Sequence, residues 1–213
     1  MSMKISQLHY ITTSPEQADA ACRAGVDWVQ LRVKNRSAAD WKALALDTLA
    51  VCRQYNARLI INDNVVLAGE IGADGVHVGK EDLPVAKARR LLGPSVIIGG
   101  TANTLEDMRA HHAAGATYIG LGPYRFTNTK EKLSPILGLE GYHNLLTACA
   151  SEGFSLPIIA IGGIEVADVS ALLREGVHGI AVSAAITRDP QRQVPAFWQA
   201  IQTVTPYSTL EKQ

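Results

Sequence analysis

Short apolar runs alternate along the whole chain with longer segments of helical spacing. Runs at residues 8–12, 26–31, 58–61, 74–78, 95–98, 117–121, 157–161 and 179–182 read as eight strands. Between them lie helical patterns: one at 15–23, a long one opened by Ser37, and a short one through Leu67. Others follow at 83–91, 105–114, 142–151 and near 166–173, with a last one near 195–204. The long segment carries an apolar stripe of Trp41, Leu44, Leu46, Leu49 and Val51 behind its Ser37 cap. Residues 207–213 read as a loose tail after a single domain at 1–206.

A weak repeat supports the count. Ala24-Gly25-Val26-Asp27, Ile71-Gly72-Ala73-Asp74, Ala114-Gly115-Ala116-Thr117 and Glu175-Gly176-Val177-His178 share one pattern: a helix ends on glycine, and a strand follows. The glycines recur about every two strand–helix units, with a longer last step because a loop of about fifteen residues follows the sixth strand, and long insertions of that kind are usually functional. Eight β–α units have one common solution, a closed parallel (β/α)8 TIM barrel. A doubly wound open sheet is the competitor, but the even repeat and the lack of a second domain favour the barrel.

Composition narrows the class. The chain has 213 residues, 47% hydrophobic and 19% charged, enough for a sizeable core. Lys plus Arg and Asp plus Glu both number 20, for a net charge of zero, which argues against nucleic acid or an anionic membrane as the main partner. The three cysteines, Cys22, Cys52 and Cys149, are far apart and suit a reducing compartment. The first ten residues lack an apolar leader core, and no run approaches a membrane span. A cytoplasmic protein is expected, acting on small molecules without nucleic acid or membrane; assembly as a homo-oligomer is left open.

In a barrel, chemistry gathers at the C-terminal strand ends. There the second strand offers Gln30, Arg32 and Lys34 on one face, the third Asn62-Asp63, and the fourth Gly79-Lys80-Glu81-Asp82. The fifth offers Gly99 through Thr104, the sixth Gly122-Pro123 with Thr127-Asn128-Thr129-Lys130, the seventh Gly162-Gly163, and the eighth Val182-Ser183. Each has a plainer reading. Arg32 and Lys34 would be solvated at a fraying strand end. Asp63 or Asp82 would cap the next helix, and Thr104 with Asp107 fits a capping box. Taken together, Asp63 and Asp82 on neighbouring strands can share one hard cation such as Mg2+, with Arg32, Lys34 and Lys130 meeting phosphate charge. The glycine pair beside Val182-Ser183 suggests a second, metal-free phosphate site. His77 reads as a core or pocket-wall residue, and His111 and His112 as surface residues. There is no catalytic triad, zinc cluster or P-loop.

Gln30-Leu31-Arg32-Val33-Lys34, Ile61-Asn62-Asp63, Gly75-Val76-His77-Val78-Gly79 with Asp82, Gly122-Pro123 with Thr127 to Lys130, and Ala160-Ile161-Gly162-Gly163-Ile164 resemble, in order, the signature segments of the thiamine phosphate synthase family. The resemblance covers nearly the whole chain. It implies a TIM-barrel transferase of thiamine biosynthesis that joins hydroxymethylpyrimidine diphosphate to hydroxyethylthiazole phosphate with Mg2+. Gln30, Arg32, Lys34, Asn62, Thr101 and Lys130 would bind the pyrimidine diphosphate. Arg32, Lys34 and Lys130 would be the catalytic cations, and Asp63 and Asp82 the metal ligands. Thr127, Thr129, Gly163, Val182 and Ser183 would bind the thiazole phosphate. The implied reaction is a dissociative substitution that needs no protein nucleophile.

Two departures stand out. The family's Gly-x-Ser-x-His-Thr is here Gly99-Gly100-Thr101-Ala102-Asn103-Thr104, so Asn103 cannot titrate as histidine does. The family's Phe-Pro before Thr127 is here Arg125-Phe126, which adds a cation near the mouth. The rival readings are a thiazole tautomerase, an idle homologue that senses thiazole phosphate or thiamine phosphate, and an unrelated phosphate-binding barrel.

Overall fold

The structure is a computed structural model that describes residues 4–126 and 135–204. Eight parallel strands close into one barrel in sequence order, with β1 paired to β8. They are β1 Leu8–Thr12, β2 Trp28–Leu31, β3 Arg58–Asn62, β4 Gly75–Val78, β5 Ile97–Ala102, β6 Tyr118–Leu121, β7 Ile158–Ile161 and β8 Gly179–Val182. The helices are α1 Pro15–Arg23, α2 Ala38–Gln54, α3 Val65–Ile71, α4 Val85–Leu92, α5 Leu105–Ala113, α6 Gly138–Ser151, α7 Val169–Arg174, α8 Ala184–Arg188 and α9 Pro190–Gln202. A 3-10 turn at Val166–Asp168 leads into α7. None of the described helices is long and apolar enough to cross a membrane.

Strand alternation divides the apolar residues into two cores. Inside the barrel sit Ile11, Trp28, Ile60, Ile97, Tyr118, Ile159 and Ala181. Outside, Leu8, Tyr10, Val29, Leu31, Leu59, Ile61, Val76, Val78 and Ile98 meet the helices. Both faces are therefore buried, which is why the strands read as continuous apolar runs. Within the barrel, His9 stacks on Trp28 with ring centroids 4.3 Å apart. Burial holds the His9 imidazole neutral, well below its ordinary pKa.

The element boundaries moved where local signals were weak. β5 runs on through Gly99, Gly100, Thr101 and Ala102, which read as loop in the sequence, because each pairs with β6. Glycine carries no strand signature, and only the neighbouring strand reveals it. α9 begins at Pro190 rather than Pro195; Asp189 caps it, its Oδ1 accepting from the Arg192 N–H at 3.2 Å, and Pro195 lies inside the helix. The short α8 had no periodic signal. The expected tail at 207–213 lies outside the described residues.

Candidate active site

The mouth of the barrel begins with an amide pair. Gln30 on β2 and Asn62 on β3 are both buried, and Gln30 Nε2 donates to Asn62 Oδ1 at 2.7 Å. That bond fixes both rotamers. Among the described residues no further side-chain partner is taken by the Gln30 carbonyl or the Asn62 amino group, so both can serve a ligand.

Next along the rim is the acidic pair. Asp63 follows β3 with φ 66, a left-handed conformation that Asp and Asn tolerate better than most residues. Its N–H donates to the His77 carbonyl at 2.8 Å. Asp63 does not cap the next helix. Asn64 does, its Oδ1 accepting from the Leu67 N–H at 3.0 Å, so the Asp63 carboxylate is left for other work. Asp82 is not a cap either, since α4 starts behind Pro84 with no side-chain cap. Its Oδ2 instead accepts from the Gly79 N–H at 2.7 Å, folding the β4–α4 loop back over the strand end.

The two carboxylates act on each other. Burial pushes the Asp63 carboxyl up to about 7, helped by its hydrogen bond with Asp82 and by repulsion from that group, while Arg32 and Lys34 pull it down. Two acids forced together beside two cations make a donor set suited to one hard divalent ion, which takes its remaining ligands from water and phosphate. No cluster of three or more His, Cys, Asp or Glu is present among the described residues, so a self-sufficient protein cage for a metal is not what this rim offers.

The Asp63 shift has a pH consequence without metal. A carboxyl raised from 3.8 to about 7 binds its proton more tightly folded than unfolded, so the pair's contribution to stability falls as pH rises through that window. Thermal melts in a chelator should show Asp63→Asn gaining on the wild type as pH rises across it. Melting curves that stay parallel in pH would contradict the pairing.

Arg32 follows β2, where its N–H donates to the Thr12 carbonyl at 2.9 Å; it is half-buried, and Lys34 is exposed. Thr101 on β5 faces the interior. Its Oγ1 lies 2.9 Å from His77 Nε2, while His77 Nδ1 lies 3.0 Å from the buried Tyr118 hydroxyl. His77 is thus a pocket-wall residue that holds Thr101. His111 differs from expectation: it is half-buried, and its Nε2 lies 2.9 Å from the Thr101 carbonyl, so it supports β5 from outside. His112 is exposed and packs on Phe154.

On the far side of the mouth, Gly162 (φ 104) and Gly163 (φ 64) end β7 in conformations that favour glycine. A Cβ at Gly162 would lie 2.7 Å from Pro123 Cβ, so the β6 and β7 ends are pressed together there. Val182 is buried at the end of β8, and Ser183 is half-buried beside it. Thr127, Thr129 and Lys130 lie outside the described residues.

Two residues have roles that the sequence did not reveal. Asn103 is buried, and its Nδ2 donates to the Gly122 carbonyl at 2.9 Å and to the Pro135 carbonyl at 3.0 Å. One amide nitrogen with two hydrogens satisfies two carbonyls, which a neutral imidazole with one N–H cannot do. Losing both bonds in Asn103→Ala should cost about 1–3 kcal/mol of stability, read by denaturant unfolding; an unchanged midpoint would contradict this role. Arg125 stands near the mouth, as expected, against Gly163. Its guanidinium is engaged with Asp168 and the Gly163 carbonyl, each at 2.7 Å, so its charge is neutralised locally. Both partner sets are distant in sequence, so no local signal marked them.

The comparisons with known proteins agree with this geometry. The family described as thiamine monophosphate synthase matches residues 4–186. A thiamine-phosphate synthase of Bacteroides fragilis is 49% identical over 175 residues, 82% of this chain and 86% of that protein. One from Flavobacterium johnsoniae is 47% identical over 190 residues, 89% of this chain and 90% of that protein. The solved thiamine phosphate pyrophosphorylase of Pyrococcus furiosus superposes with a TM-score of 0.81 at 27% identity, covering 92% of this chain and 96% of that one. A barrel of matching order, with its acidic pair, cations and glycine turn at one mouth, stands beside relatives that align along most of their length: the chain belongs to the thiamine monophosphate synthase family.

Proposed function

We propose that this chain is a thiamine phosphate synthase that uses the two sides of its mouth for two different phosphates. Hydroxymethylpyrimidine diphosphate sits at the side of Gln30, Asn62, Asp63, Asp82 and Thr101. Hydroxyethylthiazole phosphate sits at the side of Gly163, Val182 and Ser183, with Thr127 and Thr129. The bond from the pyrimidine methylene carbon to the diphosphate oxygen breaks, and its electron pair leaves with diphosphate. The thiazole nitrogen then closes the new carbon–nitrogen bond. Arg32, Lys34 and Lys130 stabilise the charge that grows on the departing diphosphate. Asp63 and Asp82 would hold Mg2+, which would offset part of the charge on the departing diphosphate. The Gln30–Asn62 pair, fixed by its own hydrogen bond, keeps the pyrimidine oriented so that reaction within the site replaces a chance encounter. The free, buried cysteines fit a cytoplasmic location.

The observation that carries this reading is the placement of Asp63 and Asp82, neither of them a helix cap, at the ends of the neighbouring strands β3 and β4, near enough to Arg32 and Lys34 to feel their charge. A thiazole tautomerase needs a residue to move protons. At the fifth-strand position where the family carries histidine, Asn103 is buried and its amide is committed to two carbonyls, which disfavours that reading. The test is to incubate purified protein with both substrates and Mg2+ and to measure thiamine phosphate. Stoichiometric thiamine phosphate and diphosphate are expected. Thiazole isomerisation without that product would overturn the proposal.

A further inference from the structure

Arg125 stands out because its bonds go to the loop after β7, which the proposed function needs. Nη1 donates to the Gly163 carbonyl and to Asp168 Oδ2, and Nη2 donates to Asp168 Oδ1, all at 2.7 Å. A bidentate guanidinium–carboxylate pair combines charge with fixed geometry. Asp168 is well shielded, its side chain only 13% exposed, and its Oδ2 also accepts from the Glu165 N–H at 2.8 Å. One fork therefore grips the segment from Gly163 to Asp168 at both ends.

The backbone supports the same clasp. The Tyr124 N–H donates to the Ile161 carbonyl at 2.8 Å, and the Arg125 N–H to the Gly162 carbonyl at 3.1 Å, extending the β6–β7 pairing past both strands. The guanidinium lies 4.9 Å from the Tyr124 ring centre, so the aromatic face limits its rotation. On the α8 side Glu165 pairs with Arg188 at 3.4 Å, both exposed, and a pair of that kind contributes little, while the buried Ile164 anchors the middle of the segment in the core. Gly163 is soft, because glycine surrenders the most freedom when ordered. The peptide unit is planar, so holding the Gly163 carbonyl toward Arg125 turns the Ile164 N–H the opposite way.

We infer that Arg125, through Asp168 and the Gly163 carbonyl, is a positioning residue for the thiazole monophosphate site and not a cation that contacts substrate. The inference rests on the proposed placement of that phosphate at Gly163 and Ser183. It gives the departure at Arg125 a specific role, which is to fix the orientation of the loop peptides that meet the phosphate.

Arg125→Lys tests the fork, since it keeps the charge but cannot reproduce the bidentate geometry, and Asp168→Asn separates positioning from substrate contact. The KM for hydroxyethylthiazole phosphate should rise about tenfold in Arg125→Lys, with kcat and the KM for the pyrimidine diphosphate within about twofold. Asp168→Asn should raise the same KM, although it unmasks a positive charge near the mouth. A direct phosphate contact predicts Asp168→Asn binding more tightly, and an Arg125 without a positioning role predicts Arg125→Lys near wild type. Either of those results would overturn the inference. Calorimetric titration of hydroxyethylthiazole phosphate alone repeats the comparison without turnover, and melting temperatures show whether each variant is folded. Wild-type protein that neither binds the thiazole phosphate nor makes thiamine phosphate would instead sink the functional reading, and this inference with it. Normal wild-type behaviour with an unaffected Arg125→Lys would sink the inference alone.

Discussion

Asp63→Asn and Asp82→Asn should each lower turnover by about a thousandfold or more while leaving the fold intact, the scale on which enzymes lose rate when charge stabilisation at the reacting centre is removed. Asparagine is the informative replacement at both positions. At Asp63 it tolerates the left-handed backbone (φ 66) that alanine would strain. At Asp82 its carbonyl oxygen can still accept from the Gly79 N–H, so the β4–α4 loop keeps its anchor. What each variant loses is one negative charge from a pair that repels when empty, and without metal Asp63→Asn should melt no lower than the wild type near neutral pH. A loss of activity with a matching loss of stability would make the pair structural. Full activity in both variants would remove it from the site.

The second large effect concerns the cations. Arg32→Ala and Lys34→Ala should each reduce kcat/KM for the pyrimidine diphosphate by about a hundredfold, since a truncated charge contact to a departing anion costs a few kcal/mol. The KM for hydroxyethylthiazole phosphate should stay within about twofold of the wild type. The asymmetry follows from position. Both residues act electrostatically on Asp63, whereas Gly163 and Ser183 belong to the ends of β7 and β8. Steady-state kinetics with each substrate varied in turn decides the matter. Equal losses on both substrates would contradict the division of labour.

Much of the barrel was readable in the chain because its strands are buried on both faces and its β–α unit repeats. Asp63, Asp82, Arg32 and Lys34 could be grouped as candidates once the strand ends were aligned. What the sequence could not decide was which candidates were free to act. Asp63 and Asp82 both look like helix caps from their neighbours alone, and only the structure shows Asn64 capping one helix and Pro84 opening the other. β5 was cut short because Gly99 and Gly100 resemble a turn, yet both pair with β6, and Gly99 leaves the room that His77 and Tyr118 occupy. Asn103 and Arg125 were visible as departures, but their roles depend on Gly122, Pro135, Gly163 and Asp168. The Asn103 partners are brought close only when β5 and β6 lie side by side, and the Arg125 partners only when β6 and β7 do. Side-chain bonds of that range leave no periodic trace.

The central claim is that one mouth holds two anion sites with different chemistry, a metal-assisted one for diphosphate and a backbone-lined one for monophosphate. The most direct measurement is a calorimetric titration of diphosphate into the protein with and without Mg2+, repeated after saturation with hydroxyethylthiazole phosphate. The account expects binding that requires Mg2+, that disappears in Asp63→Asn, and that persists with the thiazole phosphate in place. Diphosphate that binds equally well without Mg2+, or that competes with the thiazole phosphate for a single site, would contradict it.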